Sequence, residues 1–416
     1  MSQPSADRLA LLYSVTQAFS SSLDVTEVLN RVMDEVVAAV HAERGFLMLY
    51  DAQQRLTFRS ARGLEQQTIE APEFQVSRSV VERVAQNNIP LLTSNAQSDA
   101  WLGGRASIIG LGLRSILCVP LQLKQTILGV IYVDNHLQAG IFSRDDLDLL
   151  VSIAASAAIA IENARLYQVA VEKGRLEREL QMAREVQRSL LPQQTPALPG
   201  FEIAAWWLPA REVSGDYYDY LKTDPDRLVV VIADVSDKGM PAALLMALTR
   251  STVRACLTGA PSLAAGITNA NRLLAADAAN GMFVTLFCAE IGSDGEVAYV
   301  NAGHNPPLLV SADGITELRR CGPALGLFED AAYSQRQVQL GPGDFIVFYT
   351  DGVTDAMDPA GAEFGKERLL ALVHAQRQAT APALAASLAA ALQTFTAAAP
   401  AADDITLVIV RRTLAS

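Results

Sequence analysis

Residues 228–250 read LVVVIADVSDKGMPAALLMALTR, and the second half of the chain is best interpreted outward from them. The apolar run at 228–233 predicts a fully buried strand, which ends directly on Asp234. Gly239 and Pro241 then predict a turn and the start of a helix. A carboxylate between a buried strand and a helix start is a common holder of a metal ion or a phosphate. Alone, such an Asp more often caps the helix.

Three further segments place aspartates at strand ends or in tight turns. They are residues 213–219 (VSGDYYD), 348–355 (FYTDGVTD) and 402–408 (ADDITLV). Carboxylates buried close together destabilise a fold unless a cation neutralises them. Oxygen ligands with no accompanying His/Cys set favour Mg²⁺ or Mn²⁺. Taken with the Asp234 segment, the pattern predicts a two-metal hydrolase.

Length and composition limit the classes of protein to consider. A chain of 416 residues that is 50% apolar and 19% charged predicts two globular domains with a connector. The formal charge of −12 and the lack of a Lys/Arg-rich block argue against a nucleic-acid partner. The four cysteines form no CxxC pair, and no signal peptide or bilayer-length apolar run is present. We therefore expect a cytoplasmic protein with no membrane partner.

The first third of the chain alternates helical and β-rich segments. Helical spacing is found over residues 5–22 and 26–40, β-rich runs over 46–50, 56–60, 115–123 and 127–134, and further helices over 79–87 and 143–166. This order, with the segments LDVTEVLNRVMDEV, ERGFLMLYD and LGVIYVDN, resembles a GAF domain over about residues 8–165. The resemblance implies an antiparallel sheet with helices and a small molecule held over the sheet. No ligand-fixing set identifies that molecule.

Residues 166–191 form a charged connector with a regular apolar spacing. The three-four pattern is carried by Leu166, Val169, Lys173, Leu176, Leu180, Ala183, Gln187 and Leu190. A helix with so many charges and no second apolar face gains little by packing on its own protein. We therefore predict a parallel two-stranded coiled coil, and hence a homodimer; the alternative is a single amphipathic surface helix. Prolines from Pro192 onward end the helix.

Residues 192–413 form a second predicted domain, in which strand-like runs outnumber helices. Strand-like runs lie at 201–208, 217–222, 228–234, 285–291, 297–302, 307–310, 345–349 and 406–410, and helices at 242–257, 262–278, 366–375 and 383–395. Strands joined by short turns, with the helices in separate blocks, predict antiparallel sheets with helices outside. The expected fold class of the whole chain is α+β.

Five ordered motifs give this domain a specific resemblance. VSGDYYDY, ADVSDKGMPAALLMA, NAGHNPP, YTDGVTDAM and DDITLVIVR resemble the metal-dependent (PPM-type) serine/threonine protein phosphatases, in the bacterial branch of the stage II sporulation protein E. The resemblance covers nearly all of residues 190–412. It implies two antiparallel sheets sandwiched between helices and two bound ions, Mn²⁺ or Mg²⁺.

The resemblance also implies roles for individual residues. Asp234 would bridge the two ions, and the Val235 carbonyl would bind one of them. Asp216 would serve the same ion as that carbonyl, directly or through water. Asp351 and Asp403 would hold the other ion. A water between the ions would attack phosphorus in line, without a phospho-enzyme.

Four nearby residues receive different expectations. Asp404 is placed beside the ion of its neighbour Asp403 as a further candidate ligand. Ser236 stands where eukaryotic relatives carry a His that acts as general acid, so protonation of the leaving oxygen would fall to water. Asp237 stands where the branch often has Gly, and we expect it to be solvated. His304 is expected to be a hydrogen-bonded turn residue rather than an acid.

The sequence therefore predicts a signalling phosphatase with a GAF input domain and a dimeric connector. In this branch the substrates are typically anti-sigma-factor antagonist proteins, which the resemblance implies. The alternative is a catalytically silent GAF-based docking module, against which the complete set of carboxylates argues. A further hypothesis is that the main activity of the chain is small-molecule sensing by its GAF domain.

Overall fold

The computed structural model describes residues 22, 24–63, 66–71, 76–99, 101–102, 106–277, 281–397, 399 and 401–414. The helix predicted over residues 5–22, and with it the start of the first predicted domain, lies outside these residues apart from Ser22. The chain divides into two compact units, Met1–Leu176 and Glu177–Ser416. Each unit is described separately.

The first unit is built on a five-stranded antiparallel sheet. Its elements are α1 (Val25–Ala39), β1 (Arg44–Tyr50), β2 (Leu56–Gly63), α2 (Arg78–Asn87), β3 (Leu91–Thr93), α3 (Ala106–Gly110), β4 (Ser115–Leu123) and β5 (Thr126–Asn135), followed by α4 (Arg144–Leu190). The strand order is β2-β1-β5-β4-β3. The predicted hairpin is confirmed, since β4 and β5 pair along their whole length.

Apolar layers cover both faces of this sheet. On one face, α1 and the first half of α4 pack on the strands, with Val32 and Ile153 fully buried. On the other face, α2 covers a second layer that contains Phe46 and Tyr132. Asp24 caps α1 by accepting a hydrogen bond from the Glu27 amide at 2.9 Å. β3 and α3 were not predicted, because segments this short carry no clear periodicity.

The helix α4 is 47 residues long and reaches from the first unit into the second. By length and composition alone it could cross a membrane, but half of its most apolar window is buried inside the protein. That window includes Leu150, Ile153 and Ile161, which belong to the core of the first unit. A core helix passes the same test, so this helix is weak evidence for a membrane span.

The predicted coiled-coil seam divides into two parts along α4. Leu166, Val169 and Leu176 are more than half exposed. Gln187, by contrast, is only 4% exposed and packs within the second unit. The prediction that Gln187 lies in a seam between two chains is wrong, because the spacing of apolar residues does not distinguish a partner helix from the chain's own domain.

The helix also has a second apolar stripe, contrary to the sequence-based expectation. Its members are all about half exposed or more: Tyr167, Val171, Met182 and Val186. The argument that only one face of this helix is apolar is therefore wrong. The exposed part of the predicted seam and this stripe together leave much of the connector's apolar surface uncovered in a single chain.

The second unit has two five-stranded antiparallel sheets between pairs of helices. Its elements are β6 (Phe201–Leu208), β7 (Tyr217–Asp224), β8 (Arg227–Val235), α5 (Met240–Leu257), α6 (Leu263–Asp277), β9 (Val284–Gly292), β10 (Glu296–Ala302), β11 (Leu308–Ser311), β12 (Gly314–Glu317), β13 (Arg336–Gln339), β14 (Phe345–Tyr349), a 3₁₀ turn (Asp351–Val353), α7 (Gly365–Ala375), α8 (Ala381–Phe395) and β15 (Ile405–Arg412). The strand orders are β13-β10-β9-β8-β7 and β12-β11-β14-β15-β6.

The alternation of side chains along β8 shows how the layers form. Val230 and Ile232 point into the core between the two sheets, where Phe287 meets Phe348 edge to face at 5.6 Å. Val231 points to the opposite face, which α5 and α6 cover. The other sheet is covered in the same way by α7 and α8. β8 is thus buried on both faces, and the predicted α+β architecture of sheets sandwiched between helices is confirmed.

Candidate metal centre

The first two aspartates meet at one edge of the first sheet. Asp234 is near the end of β8, and Asp216 directly precedes β7. β7 and β8 run antiparallel with Tyr217 opposite Ala233, so Asp216 and Asp234 come from neighbouring positions of paired strands. The two residues are brought together because β7 and β8 are joined by a tight turn and form a hairpin.

The second sheet brings its own aspartates to the same edge. Asp351 begins the 3₁₀ turn after β14, while Asp403 and Asp404 come just before β15. β14 and β15 pair with Tyr349 opposite Leu407, which sets the two acidic segments side by side. Asp351, Asp403 and Asp404 all act electrostatically on Asp234. We call the five residues the acidic cluster: Asp216, Asp234, Asp351, Asp403 and Asp404.

Two threonines of the second sheet hold Asp216. The Thr350 and Thr406 hydroxyls each donate to Asp216 Oδ2 at 2.7 Å. The Thr406 amide in turn donates to the Thr350 hydroxyl oxygen at 3.0 Å. Asp216 and both threonines are buried, so the orientation of the carboxylate is fixed. One Asp216 oxygen is thereby anchored, and the carboxylate joins the two sheets.

Three carboxyl groups of the cluster, those of Asp216, Asp234 and Asp351, have a pKa above the ordinary value of an aspartate. Burial, and then the charges of Asp351 and Asp403, raise the pKa of Asp234 to about 7. Burial and the charge of Asp234 raise the pKa of Asp216 well above its ordinary value. The pKa of Asp351 is raised by burial and by Asp403. These shifts arise because negative charges are collected where little positive charge offsets them.

One lysine approaches the cluster. The Lys238 ammonium lies 2.9 Å from Asp403 Oδ2 and donates to the Ala402 carbonyl at 3.0 Å. Both partners of this ion pair are more than a third exposed, so solvent weakens it. Lys238 was not singled out from the sequence, although it is the only basic residue in the IADVSDKG segment. It places one mobile positive charge at the open side of the cluster.

Both carboxylate oxygens of Asp404, the further candidate ligand, accept hydrogen bonds from backbone amides. Its Oδ1 accepts from the Ala210 amide at 2.7 Å and its Oδ2 from the Gly215 amide at 2.8 Å. Because the Ala210 and Gly215 amides donate to its two oxygens, Asp404 holds the loop that leads to Asp216. Sequence alone could not separate it from Asp403, because the two acids are adjacent.

Two glycines let the backbone approach closely at this edge. A Cβ on Gly352 would lie 2.0 Å from the Asp404 carbonyl oxygen, which no side chain tolerates. A Cβ on Gly215 would lie 3.1 Å from the Val235 carbonyl oxygen. The Val235 carbonyl oxygen therefore lies close to the backbone next to Asp216. Any residue larger than Gly at position 352 would force the two acidic segments apart.

The donor set suits a divalent cation with oxygen ligands. The cluster offers carboxylates and the Val235 carbonyl, and one lysine is the only cation seen near it among the described residues. In the part of the chain that the structure describes, no three His, Cys, Asp or Glu side chains form a ready-made metal-binding group. Mg²⁺ and Mn²⁺ commonly complete their shells with water, so an ion bound by one or two carboxylates here fits. A divalent ion would supply the missing positive charge.

The second aspartate of the VSGDYYD segment, Asp219, does not belong to the acidic cluster. Asp219 accepts from Arg254 at 2.6 and 3.2 Å, and the Arg250 guanidinium lies 3.5 Å away. Two guanidinium groups thus neutralise it, and they tie α5 to β7. The residue is structural.

His304 is buried, as expected of a hydrogen-bonded turn residue. Its amide donates to Asn301 at 2.9 Å, and its Nδ1 lies 2.9 Å from the Thr285 hydroxyl. Burial lowers the pKa of the ring to about 3, so the imidazole is neutral. A neutral, enclosed ring has no proton to give at ordinary pH, which agrees with the structural role.

A contact from the connector helix reaches the same region. Gln187 Nε2 donates to the Ser214 carbonyl at 2.6 Å, and the Ser214 amide donates to Gln187 Oε1 at 2.9 Å. Ser214 is two residues before Asp216, and its hydroxyl accepts from the Asp216 amide at 3.0 Å. No signal in the sequence indicated this pairing, because Gln187 fits the heptad pattern equally well.

Comparison with known proteins agrees with this architecture. The sequence profile of the family Stage II sporulation protein E (SpoIIE) matches residues 224–413, and that of the GAF domain matches residues 22–162. The SiaA-PP2C domain of Pseudomonas aeruginosa superposes with a TM-score of 0.52 at 23% identity, covering 58% of this chain and 99% of that domain. At this identity the likeness concerns the fold.

Two curated relatives extend the sequence comparison. Protein IcfG of Synechocystis sp. is 35% identical over 221 residues, which cover 46% of this chain and 35% of IcfG. Phosphoserine phosphatase RsbU of Bacillus subtilis is 30% identical over 218 residues, covering 52% of this chain and 64% of RsbU. The chain thus spans about a third and just under two thirds of the length of these relatives.

Proposed function

The chain carries a SpoIIE-type PPM phosphatase domain behind an N-terminal GAF domain, and we propose on this premise that it is a metal-dependent phosphoserine/phosphothreonine protein phosphatase. The observation that carries the proposal is the meeting of Asp216, Asp234, Asp351 and Asp403 at one edge of two sheets. The domain boundaries we propose are 8–165 for the GAF domain, 166–191 for the connector and 192–413 for the phosphatase.

We propose the following ligands for two ions, Mn²⁺ or Mg²⁺. Asp234 would be a ligand common to both ions, with Asp216 and the Val235 carbonyl helping to hold one of them and Asp351 and Asp403 the other. Support comes from the raised pKa values of Asp216, Asp234 and Asp351, since a bound cation relieves the cost of keeping such carboxylates ionised. Asp404 has a positioning role, through the amides of Ala210 and Gly215.

When bound, the ions would polarise the phosphoryl oxygens and lower the pKa of a water molecule. The chain's own residues orient this chemistry. Thr350 and Thr406 fix Asp216, and the Asp404 carboxylate fixes the loop before it. Lys238, at the exposed side of the cluster, can turn from Asp403 to a phosphoryl oxygen. Because Ser236 replaces the general-acid His of other relatives and His304 is buried and neutral, water protonates the leaving serine oxygen.

The substrate we propose is a phosphorylated signalling protein of the anti-sigma-factor antagonist type. The relative RsbU is named a phosphoserine phosphatase, and the phosphatase region aligns with it. A small molecule at the GAF domain is the proposed input, for which a cavity of ≈ 700 Å³ beside α2 and β2 is available. The exposed Leu166, Val169 and Leu176 support a homodimer through the connector. Four free cysteines fit a cytoplasmic location.

The test is hydrolysis of p-nitrophenyl phosphate and of a phosphoserine peptide by the full chain. We expect turnover with Mn²⁺ or Mg²⁺ and none with EDTA. A phosphotyrosine peptide serves as the comparison substrate and should be hydrolysed more slowly than phosphoserine. Turnover that is unaffected by EDTA would contradict the two-metal assignment. A chain that binds the cation but hydrolyses none of these substrates would instead fit the silent docking module.

A further inference from the structure

An apolar cavity lies next to the acidic cluster and has no part in the chemistry described so far. Its volume is ≈ 530 Å³, and it is partly open to solvent. It is bounded by the end of β6, the segment after the 3₁₀ turn and the C-terminal end of α8. The residues that decide its character are Trp206, Leu208, Met357, Leu392, Ile405 and Asp403.

The lining of the cavity is mainly apolar, and its charged side chains are acidic. Leu392 and Ile405 are almost fully buried, while Met357 is 48% exposed. Among the described residues that line the cavity none is basic, and Asp358 and Asp403 are acidic. An anionic group is therefore disfavoured here. A neutral apolar group of the size of a leucine or phenylalanine side chain fits the volume and the lining.

The cavity is continuous with the site where a phosphoester would react. Gly352 and Asp403 line the cavity and also belong to the two acidic segments of the second sheet. A peptide whose phosphoserine is held at the cluster can therefore place its neighbouring residues next to the cavity. An extended chain advances about 3.3 Å per residue, so a side chain within about four residues of the phosphoserine can enter.

We propose that this cavity is a specificity subsite that binds a large apolar side chain of the phosphoprotein, within four residues of the phosphoserine. The inference rests on the proposed phosphatase function and adds a sequence preference to it. A phosphoserine flanked by an apolar side chain on the matching side is the preferred substrate, and the same peptide with Ala or Asp at that position is a poor one.

The experiment scans one leucine through positions −4 to +4 of an otherwise Ala/Ser phosphoserine peptide, using the full chain with Mn²⁺. At one or two adjacent positions, leucine is expected to raise kcat/KM by about tenfold or more over alanine, which is a usual gain for filling an apolar pocket. Aspartate at the same position should lower kcat/KM below the alanine value. Equal rates at every position would overturn the proposal.

Two variants of neighbouring residues on α8 show where the preference arises. Gln393 is exposed and lines the cavity, whereas Thr394 is exposed and does not. Gln393→Trp fills the entrance and is expected to reduce the leucine-to-alanine ratio to about one, while Thr394→Trp keeps the wild-type ratio. A ratio is unaffected by the fraction of active protein. A preference that survives Gln393→Trp would place the subsite elsewhere.

The outcomes separate the subsite from the phosphatase itself. Hydrolysis of all peptides without preference overturns only the subsite. If no peptide is hydrolysed with any divalent ion, the proposed function fails and the subsite fails with it.

Discussion

The two units bury aspartates in opposite ways. In the first unit, Asp134 is fully buried, and Arg44 donates to its two oxygens at 2.9 and 2.6 Å. In the second unit, Asp216 is equally buried but receives hydroxyl groups instead of a cation. Asp219, three residues further on, again has arginine partners. Arginine side chains thus neutralise Asp134 and Asp219, whereas in the part of the chain that the structure describes Asp216 and Asp234, both proposed to bind metal, form no ion pair with a basic side chain.

The largest expected effect comes from removing one charge of the uncompensated set. Asp234→Asn should lower metal-dependent turnover by roughly a thousandfold or more, because the proposed bridging ligand is lost while size is kept. Hydrolysis of p-nitrophenyl phosphate measures the loss, and far-UV circular dichroism checks the fold. The exposed neighbour change Asp237→Asn is the control and should retain activity. A fully active Asp234→Asn protein would contradict the proposal that the carboxylates without a basic partner bind metal.

Removing the arginine partner of a buried aspartate should lower the stability of the protein. Arg44→Met leaves Asp134 buried without a counter-charge, and breaking such a pair destabilises a protein by about 3–5 kcal/mol. Urea unfolding followed by circular dichroism measures the change. Arg31→Met removes an exposed pair with Glu27, and the loss of such a pair should cost less than about 0.5 kcal/mol.

A double change tests the reason for that loss. Arg44→Met with Asp134→Leu removes both charges and should recover most of the stability, since a buried pair can be replaced by apolar groups. Equal stability of the single and double variants would show that Asp134 is not the source of the loss.

The next effect is stabilisation by the cation itself. An ion that binds only the folded protein at a hundred times its Kd adds about 2.7 kcal/mol, or roughly 5–10 °C in the Tm of a domain of this size. Differential scanning calorimetry with Mn²⁺ or EDTA measures it. The gain should shrink in Asp216→Asn. It should persist in Arg44→Met, whose aspartate already has a protein cation. An unchanged gain in Asp216→Asn would exclude that residue as a ligand.

A smaller effect is expected at Lys238, which forms an ion pair with Asp403, a proposed metal ligand. Lys238→Met should lower kcat/KM for a phosphoserine peptide by about tenfold, since one charge near the phosphoryl group is lost. It should not weaken Mn²⁺ binding in a calorimetric titration, because Asp403 loses a competing cation. Lys222→Met, on the exposed part of β7, is the matched control. Unchanged kcat/KM would reduce Lys238 to a surface ion pair.

The sequence was most informative where long apolar runs meet aspartates. Six strand ranges of the phosphatase half were predicted to within one residue at each end, among them β6 and β14, because their β-rich sequences stand out from the turn residues around them. β12 and β13 were missed, since they are four residues long and mostly exposed. The meeting of the four acidic segments was predicted as well.

Contacts between distant segments were the part that sequence could not supply. Gln187 was assigned to the wrong partner because a heptad pattern records only that a face is covered, not by what. Thr350 and Thr406 lie inside quoted motifs, yet their common bond to Asp216 depends on strand register across two elements. Asp404 and Asp403 could be told apart only by which amides face them.

The smallest effect concerns an aspartate that belongs to neither set. Asp237 has a left-handed backbone with φ of 79°, and its Oδ1 accepts from the Lys238 amide at 2.8 Å. This conformation explains why glycine is common at that position in the branch. Asp237→Gly should therefore raise the free energy of unfolding by up to about 1 kcal/mol, whereas Asp237→Ala keeps the unfavourable Cβ and should not. Thermal unfolding of both variants measures the difference. If Asp237 were instead a ligand, both substitutions would weaken Mn²⁺ binding alike, so the backbone and the carboxylate are separated by one pair of variants.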